Sequence, residues 1–508
     1  MFKKNKKVEP MAMPKSLNTY LGPKGYTLIK SELTNEQIAW IKTALTVQPC
    51  TPGVTTVVSS SFPAYRESSQ KLYVPRYFGT ELFGSPKQVK ISDGDNINVP
   101  FTGSLRDYQQ DVVNAYVTAT QNGPICGGGL ATLGCGAGKT VIGLNIISTM
   151  QKKTLIIVHK EFLVNQWIER IQQYLPSARV GKIQGQIIDI DNKDIVIGML
   201  QSLSMKDYPD HVFSSFGLLL IDEVHHIGSE VFSCSLFKIV TKYTLGLSAT
   251  MDRKDGTTYV FKMFLGDILY RMLNKKQRYV EVRGLYYKTD DAEFNKVEYD
   301  FRGNPAYSTM ISKLCEYQPR TEFIIKALKD LLIEFPGIQV MVIAQYKNIL
   351  KQIHDRVLTE GFATVGYYVG GMKEHALKNT ESKQVVIASY SMAAEGLDIK
   401  TLSGLIMVTP KTDIEQTVGR ILRSDHDKPI VIDIVDNHEP FQKQWAKRKT
   451  FYRKENYKII KTTNAEYPNG WTTVYNHKVV AQDSGSSSDE DESVAKSNGC
   501  QIDLSVFV

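Results

Sequence analysis

The stretch GGGLATLGCGAGKTVIG at residues 127–143 constrains what this chain can fold into more than any other. Its apolar run from Leu130 to Leu133 reads as a buried parallel strand. The run breaks into Gly134, Cys135, Gly136, Ala137 and Gly138, and Lys139 and Thr140 follow. A helix is expected next, with Val141, Ile142, Leu144, Ile147 and Met150 on its apolar face. Strand, glycine loop and helix in that order form a phosphate-cradling unit. Glycines let backbone N–H groups approach phosphate oxygens closely, and the helix N-terminus adds partial positive charge. Lys139 is then placed to reach β- and γ-phosphates, and Thr140 to ligate Mg2+. The pattern G-x-x-x-x-G-K-[ST] is met except at its first glycine, where Leu133 stands. Cys135 inside the loop reads as a small filler, not a reactive thiol.

A phosphate loop needs carboxylates to hold the metal and activate water. Asp222 and Glu223 close the apolar run GLLLI, 83 residues after Lys139. The carboxyl end of a parallel strand is where such sheets bind ligands. Asp222 suits the Mg2+ shell, and Glu223 suits the orientation and deprotonation of water. His225 lies two residues on, placed to couple this site to its neighbours. Gln109 in LRDYQ precedes Lys139 by 30 residues, and its amide can read an adenine edge. The SAT of residues 248–250 ends another strand, where its hydroxyls can link nucleotide state to domain closure.

Chain length gives room for about three domains. Residues 1–100 carry no catalytic motif. They read as a small α+β accessory domain, or else as a packing extension of the next domain, with a helix over 33–45 capped by Thr34. Apolar strands alternate with helices over residues 101–280, which implies a parallel sheet. Residues 281–315 read as a connector. The alternation restarts over 316–475 without a second phosphate loop, in strands at QVVIAS, GLIMVT and PIVIDIV and a helix at DIEQTVGRILR. In that helix Gln416, Arg420 and Arg423 share one face. Two arginines without an acidic partner call for an anion, and a γ-phosphate held by the other lobe is one. The segment at residues 388–400 places Ser389 and Ser391 for backbone phosphate, and Gly396 and Asp398 for ATP or Mg2+.

Residues 442–461 hold eight Lys or Arg against Glu455 alone. Lys447, Arg448 and Lys449 are candidates for a nucleic-acid path, while Phe441, Trp445 and Tyr452 share a face expected to pack. The formal charge of +8 agrees with a polyanionic partner. The segment 476–508, with SSSDEDE, has the composition of a disordered acidic tail and a substrate for an acidophilic kinase. Six cysteines include no C-x-x-C pair, which argues against zinc and for reduced thiols in an intracellular setting. No apolar run approaches the ~20 residues of a membrane span.

Taken in order, LRDYQ, LGCGAGKT, IIVHKEFLVNQW, LLLIDEVHH, LGLSAT, VMVIAQY, ASYSMAAEGLDIK and QTVGRILR resemble the superfamily 2 DExH helicases over residues 104–435. GCGAGKT, DEVHH and SATMDRKDG resemble the branch of the eukaryotic transcription-and-repair translocase and the large-DNA-virus helicases of the poxvirus transcript-release type. The resemblance implies two tandem RecA-like lobes. ATP and Mg2+ are expected in the cleft between them, and nucleic acid across both. It also implies a monomeric motor, with duplex DNA the favoured substrate and transcription machinery a possible partner. An RNA helicase is the alternative within the class, and an ATP-gated clamp that does not translocate is the alternative outside it. For a viral chain the expected place is the host cytoplasm or the virion.

Overall fold

The computed structural model describes residues 11–14, 17–49, 61–121, 127–134, 136–209, 211–226, 229–249, 251, 255–272, 279–395, 399–422, 424, 426 and 428–477. They form two compact units, divided after residue 274. No helix among the described residues is long and apolar enough to cross a membrane.

An eight-stranded sheet carries the first unit. Its order is Ile187–Ile188, Val180–Gln184, Ile195–Met199, Thr154–Val158, Leu218–Ile221, Tyr243–Ser248, Gly127–Thr132 and Ile268–Arg271. Every neighbouring pair is parallel except the first. Runs such as LLLI and TLIIV have no polar alternation because both sheet faces are covered. Leu218 and Leu220 enter one buried cluster, while Leu219 and Ile221 enter another. That alternation is the period of two a strand imposes.

The described part of residues 1–100 adds a five-stranded sheet and the helices Asn35–Ala44 and Arg76–Phe83. Thr34 caps the first helix reciprocally. Its hydroxyl accepts from Gln37 N at 3.2 Å, and Gln37 Oε1 accepts from Thr34 N at 2.9 Å. Tyr26, Leu28, Leu72 and Phe78 belong to the same buried cluster as Leu219, Ile221 and Phe264. Arg76 donates to the carbonyls of Thr241 and Lys242. This layer is therefore α+β in content, yet its core is continuous with one face of the large sheet.

The second unit has its own eight-stranded sheet. The order is Val365–Tyr368, Val385–Ser389, Gln339–Ala344, Leu402–Met407, Ile430–Asp436, Glu281–Tyr287, Lys458–Thr463 and Thr472–Tyr475. Only the last pair is antiparallel. Here the structure corrects the sequence-based expectation of a connector at 281–315. Glu281–Tyr287 is an interior strand, paired in parallel with Ile430–Asp436 on one side and Lys458–Thr463 on the other. Its sequence, EVRGLYY, hides the apolar pattern because Arg283 is satisfied within the fold by Glu281 and Glu334. The expected acidic tail lies outside the described residues from 478 onward.

Candidate active site

Strand order assembles the first cluster of candidate residues. Leu218–Ile221, Tyr243–Ser248 and Gly127–Thr132 are consecutive neighbours, so their carboxyl ends lie side by side. The ladder continues past the strands through Asp222 N to Ile157 O at 3.1 Å and Leu133 N to Ser248 O at 2.9 Å. The glycine loop, Asp222–Glu223 and Ser248 thus emerge together.

The loop is open where a phosphate would enter. Gly136 and Gly138 have φ of +77° and +78°, a left-handed backbone that favours glycine. A Cβ on Gly134 or Gly136 would meet no protein atom within 4 Å. A Cβ on Gly138 would come within 2.4 Å of Gln109 Nε2. Helix Lys139–Met150 starts at once, so its first N–H groups face the loop. Gln109 is buried and props the loop from behind. Its Nε2 donates to Ala137 O at 2.9 Å, and its Oε1 accepts from Arg106 N at 2.9 Å. Tyr108 OH donates to the same Ala137 carbonyl at 3.1 Å, a role no sequence signal singled out. Cys135 lies outside the described residues. Gly138→Ala is expected to displace Gln109 and strain the loop by ~1–2 kcal/mol, weakening nucleotide affinity. Titration with a fluorescent ATP analogue measures this, and affinity equal to wild type would show that the loop tolerates the methyl.

Lys139 Nζ lies 2.9 Å from Glu223 Oε1. Asp222 is buried and accepts from Trp167 Nε1 at 2.9 Å. Burial pushes its carboxyl up to about 6, with the adjacent Glu223 charge adding to the rise and Lys139 opposing it. Glu223 adopts a φ of +48°, uncommon outside glycine. His225 Nδ1 is 2.6 Å from Ser248 Oγ and 3.4 Å from Glu223 Oε2. The histidine therefore joins the acidic strand end to the neighbouring strand, and Ser248 is its partner. Thr140, second in its helix, is half-buried beside Lys139. Thr250 lies outside the described residues.

The second unit gathers a different set. Ser389 ends its strand and Ser391 sits in helix Tyr390–Glu395, with hydroxyls 3.2 Å apart. DIEQTVGRILR does not form one α-helix. An α-turn at Glu415–Val418 passes into a 3-10 turn at Gly419–Leu422, so the face expected for Gln416 and Arg420 is not that of a regular helix. Arg420 Nε donates to Ala393 O at 2.8 Å, tying this turn to helix Tyr390–Glu395. Arg423, Gly396 and Asp398 lie outside the described residues.

The loop leading to Gln416 is gripped by three buried side chains. Arg320 Nη2 donates to Val408 O at 2.6 Å, Tyr390 OH to Thr409 O at 2.6 Å, and Arg448 Nη1 to Lys411 O at 2.7 Å. Arg320 is also bidentate to Asp436, at 2.6 and 2.8 Å. Arg448 is bidentate to Asp433, at 2.8 and 2.8 Å. This corrects the expectation that Arg448 faces nucleic acid, because it is 2% exposed and its donors are engaged inside the fold. Two acids in the otherwise apolar run IVIDIVD were the available signal, since a buried carboxylate demands a partner. Of its neighbours, Lys447 is exposed. Lys449 is half-buried, with Nζ 5.7 Å from the Trp445 ring centroid and its pKa lowered by burial. Phe441, Trp445 and Tyr452 are all buried.

Comparison with known proteins places the chain in a family. The family described as Type III restriction enzyme, res subunit, matches residues 102–253. A protein of Acanthamoeba polyphaga mimivirus named for an ATP-dependent RNA helicase is 36% identical over 461 residues, 88% of each chain. A protein of African swine fever virus with the same kind of name is 28% identical over 368 residues, 65% of this chain and 69% of the other. The DNA 3'-5' translocase XPB2 of Sulfurisphaera tokodaii is 25% identical over 403 residues, 71% of this chain and 89% of that one. With a phosphate loop beside paired carboxylates and this degree of identity along almost its whole length, the chain belongs to the superfamily 2 helicases, among those of large DNA viruses.

Proposed function

We propose that this helicase binds ATP on the loop at 134–138 and spends its hydrolysis on movement along nucleic acid. The observation that carries the proposal is the Lys139–Glu223 contact at 2.9 Å beside buried Asp222, under a glycine loop with open space at Gly134 and Gly136. Lys139 and Glu223 satisfy one another until phosphate oxygens compete for the lysine. Release of Lys139 to those oxygens leaves the Glu223 carboxylate to take the proton of the attacking water. Asp222 and Thr140 are the residues that would hold Mg2+. One carboxylate with a hydroxyl suffices for an ion that keeps waters and shares substrate phosphates. Mg2+ supplies neutralisation of phosphate charge. His225 carries the state of Glu223 to Ser248. Arg420, with Gln416 and Arg423 of the same stretch of sequence, acts on the phosphoryl group as it transfers. Ser389, Ser391 and Lys447 contact nucleic-acid phosphates.

The viral relatives are named for RNA and the archaeal one for DNA, so the substrate is decided by assay. Steady-state ATPase is measured alone and with duplex DNA, single-stranded DNA, duplex RNA and single-stranded RNA. Basal turnover is expected to be low and raised by one class of polynucleotide. Equal rates with and without every polynucleotide would reject the motor.

A further inference from the structure

We propose that the tight turn at residues 299–305, with the lysine face of helix Glu439–Lys454, is a stacking platform for a single strand of nucleic acid, and that Phe301 is its base-contacting side chain. The proposal rests on the motor reading and assigns it a contact outside the motifs.

The turn is built from within. Asp300 N donates to Asn304 O at 2.8 Å, and Gly303 N to Asp300 O at 3.0 Å. Asp300 Oδ1 accepts from both Arg302 N and Asn304 N at 2.9 Å. Tyr299 and Pro305 form an antiparallel bridge, and Gly303 takes a φ of +76°. All this order holds Phe301 out in solvent, at 92% exposure. Single exposed apolar side chains are ordinary. This one is flanked by Tyr299 at 61% and Tyr307 at 41%, and the Arg302 guanidinium lies 4.9 Å from its ring centroid.

The charges beside the turn suit a polyanion. Tyr307 lies 6.2 Å from the Phe441 ring in the first turns of helix Glu439–Lys454. Lys443 is within electrostatic reach of both Tyr299 and Tyr307. Lys443, Lys447 and Lys454 are exposed, and their spacing puts them on one helical face. The nearby acids are engaged locally. Asp300 organises the turn and Glu298 is 2.8 Å from Lys313, while Glu439 pairs with Lys443 at 2.6 Å until a phosphate competes for the lysine. A protein-docking patch calls for contiguous apolar surface. Separate aromatic faces bordered by lysines are instead how single strands are held, with bases stacked and phosphates neutralised.

The test uses the full chain and fluorescein-labelled oligo-dT and oligo-U, titrated at several salt concentrations, with ATPase measured on the same preparations. Phe301→Ala is expected to weaken oligonucleotide binding about tenfold with the salt slope unchanged, and Phe301→Trp to retain wild-type affinity. Lys443→Ala combined with Lys447→Ala is expected to flatten the slope of log affinity against log salt by about 1.4, near 0.7 per lost phosphate contact. Wild-type affinity in Phe301→Ala would overturn the platform. So would a Phe301→Trp variant as weak as the alanine. If nucleic acid fails to stimulate even the wild-type ATPase, the motor reading falls first. Stimulated wild type with an indifferent Phe301→Ala removes the platform alone.

Discussion

Lys139→Ala is expected to abolish ATP turnover and weaken nucleotide binding, whereas Arg420→Ala abolishes turnover while leaving nucleotide affinity within about tenfold, ~1.4 kcal/mol. The contrast follows from where each charge acts. Lys139 stands at the mouth of the glycine loop, and its ammonium lies 2.9 Å from Glu223 Oε1. Its loss deprives the phosphates of a binding charge in every nucleotide state. It also leaves Asp222 and Glu223, two adjoining carboxylates, without a cation that opposes their repulsion. Arg420 belongs to the other unit, in the turn tied to Ala393 O. An arginine that meets charge developing during transfer contributes roughly 10³ to 10⁵ in rate on the phosphoryl-transfer template. It contributes far less to ground-state affinity. Fluorescent-ATP titration and steady-state hydrolysis on the same preparations measure both quantities. Normal hydrolysis by Arg420→Ala at saturating nucleic acid would remove Arg420 from the active site.

The parallel sheets were legible because their strands are unbroken apolar runs between helical patterns, as LLLI and VMVIA show. The phosphate loop and Asp222–Glu223 were legible for another reason. The chemistry proposed for them demands particular residues at strand ends, and the structure brings those residues to neighbouring ends of one sheet. Glu281–Tyr287 was missed because Arg283 interrupts its apolar run, and only the fold supplies Glu281 and Glu334 to neutralise it. The regular helix expected around Gln416 and Arg420 gives way to a 3-10 turn at Gly419, where local sequence does not decide between the two hydrogen-bond patterns. Spacing offers the Gln109 amide to an adenine edge, but it cannot reveal that the amide is bonded to Ala137 O and Arg106 N in the structure. Nothing along the chain signals that the indole N–H of Trp167 meets Asp222.

Arg448→Ala is expected to destabilise the second unit strongly, although composition alone puts Arg448 in a basic surface helix. The alanine would leave Asp433, 1% exposed, without its cation. Removing one partner of a buried pair costs about 3–5 kcal/mol, because the other charge stays desolvated. For a unit of this size that is a fall of roughly 6 to 20 °C in its melting transition. Lys447→Ala, one residue away and exposed, is expected to shift stability by no more than ~0.5 kcal/mol. Pairing Arg448→Met with Asp433→Asn should recover much of the loss, since the amide is neutral and Tyr452 OH keeps its acceptor, 3.0 Å away in the wild type. Calorimetry on the four proteins separates charge from packing. Loss of Arg448 also frees Lys411 O, so the loop toward Gln416 and Arg420 loses one of the three buried side chains that donate to its carbonyls. The rescued double variant should therefore melt near wild type yet remain impaired in kcat. Arg448→Ala melting with Lys447→Ala would mean that Asp433 is not buried against it. A double variant with wild-type turnover would free the loop at 408–411 from any dependence on Arg448.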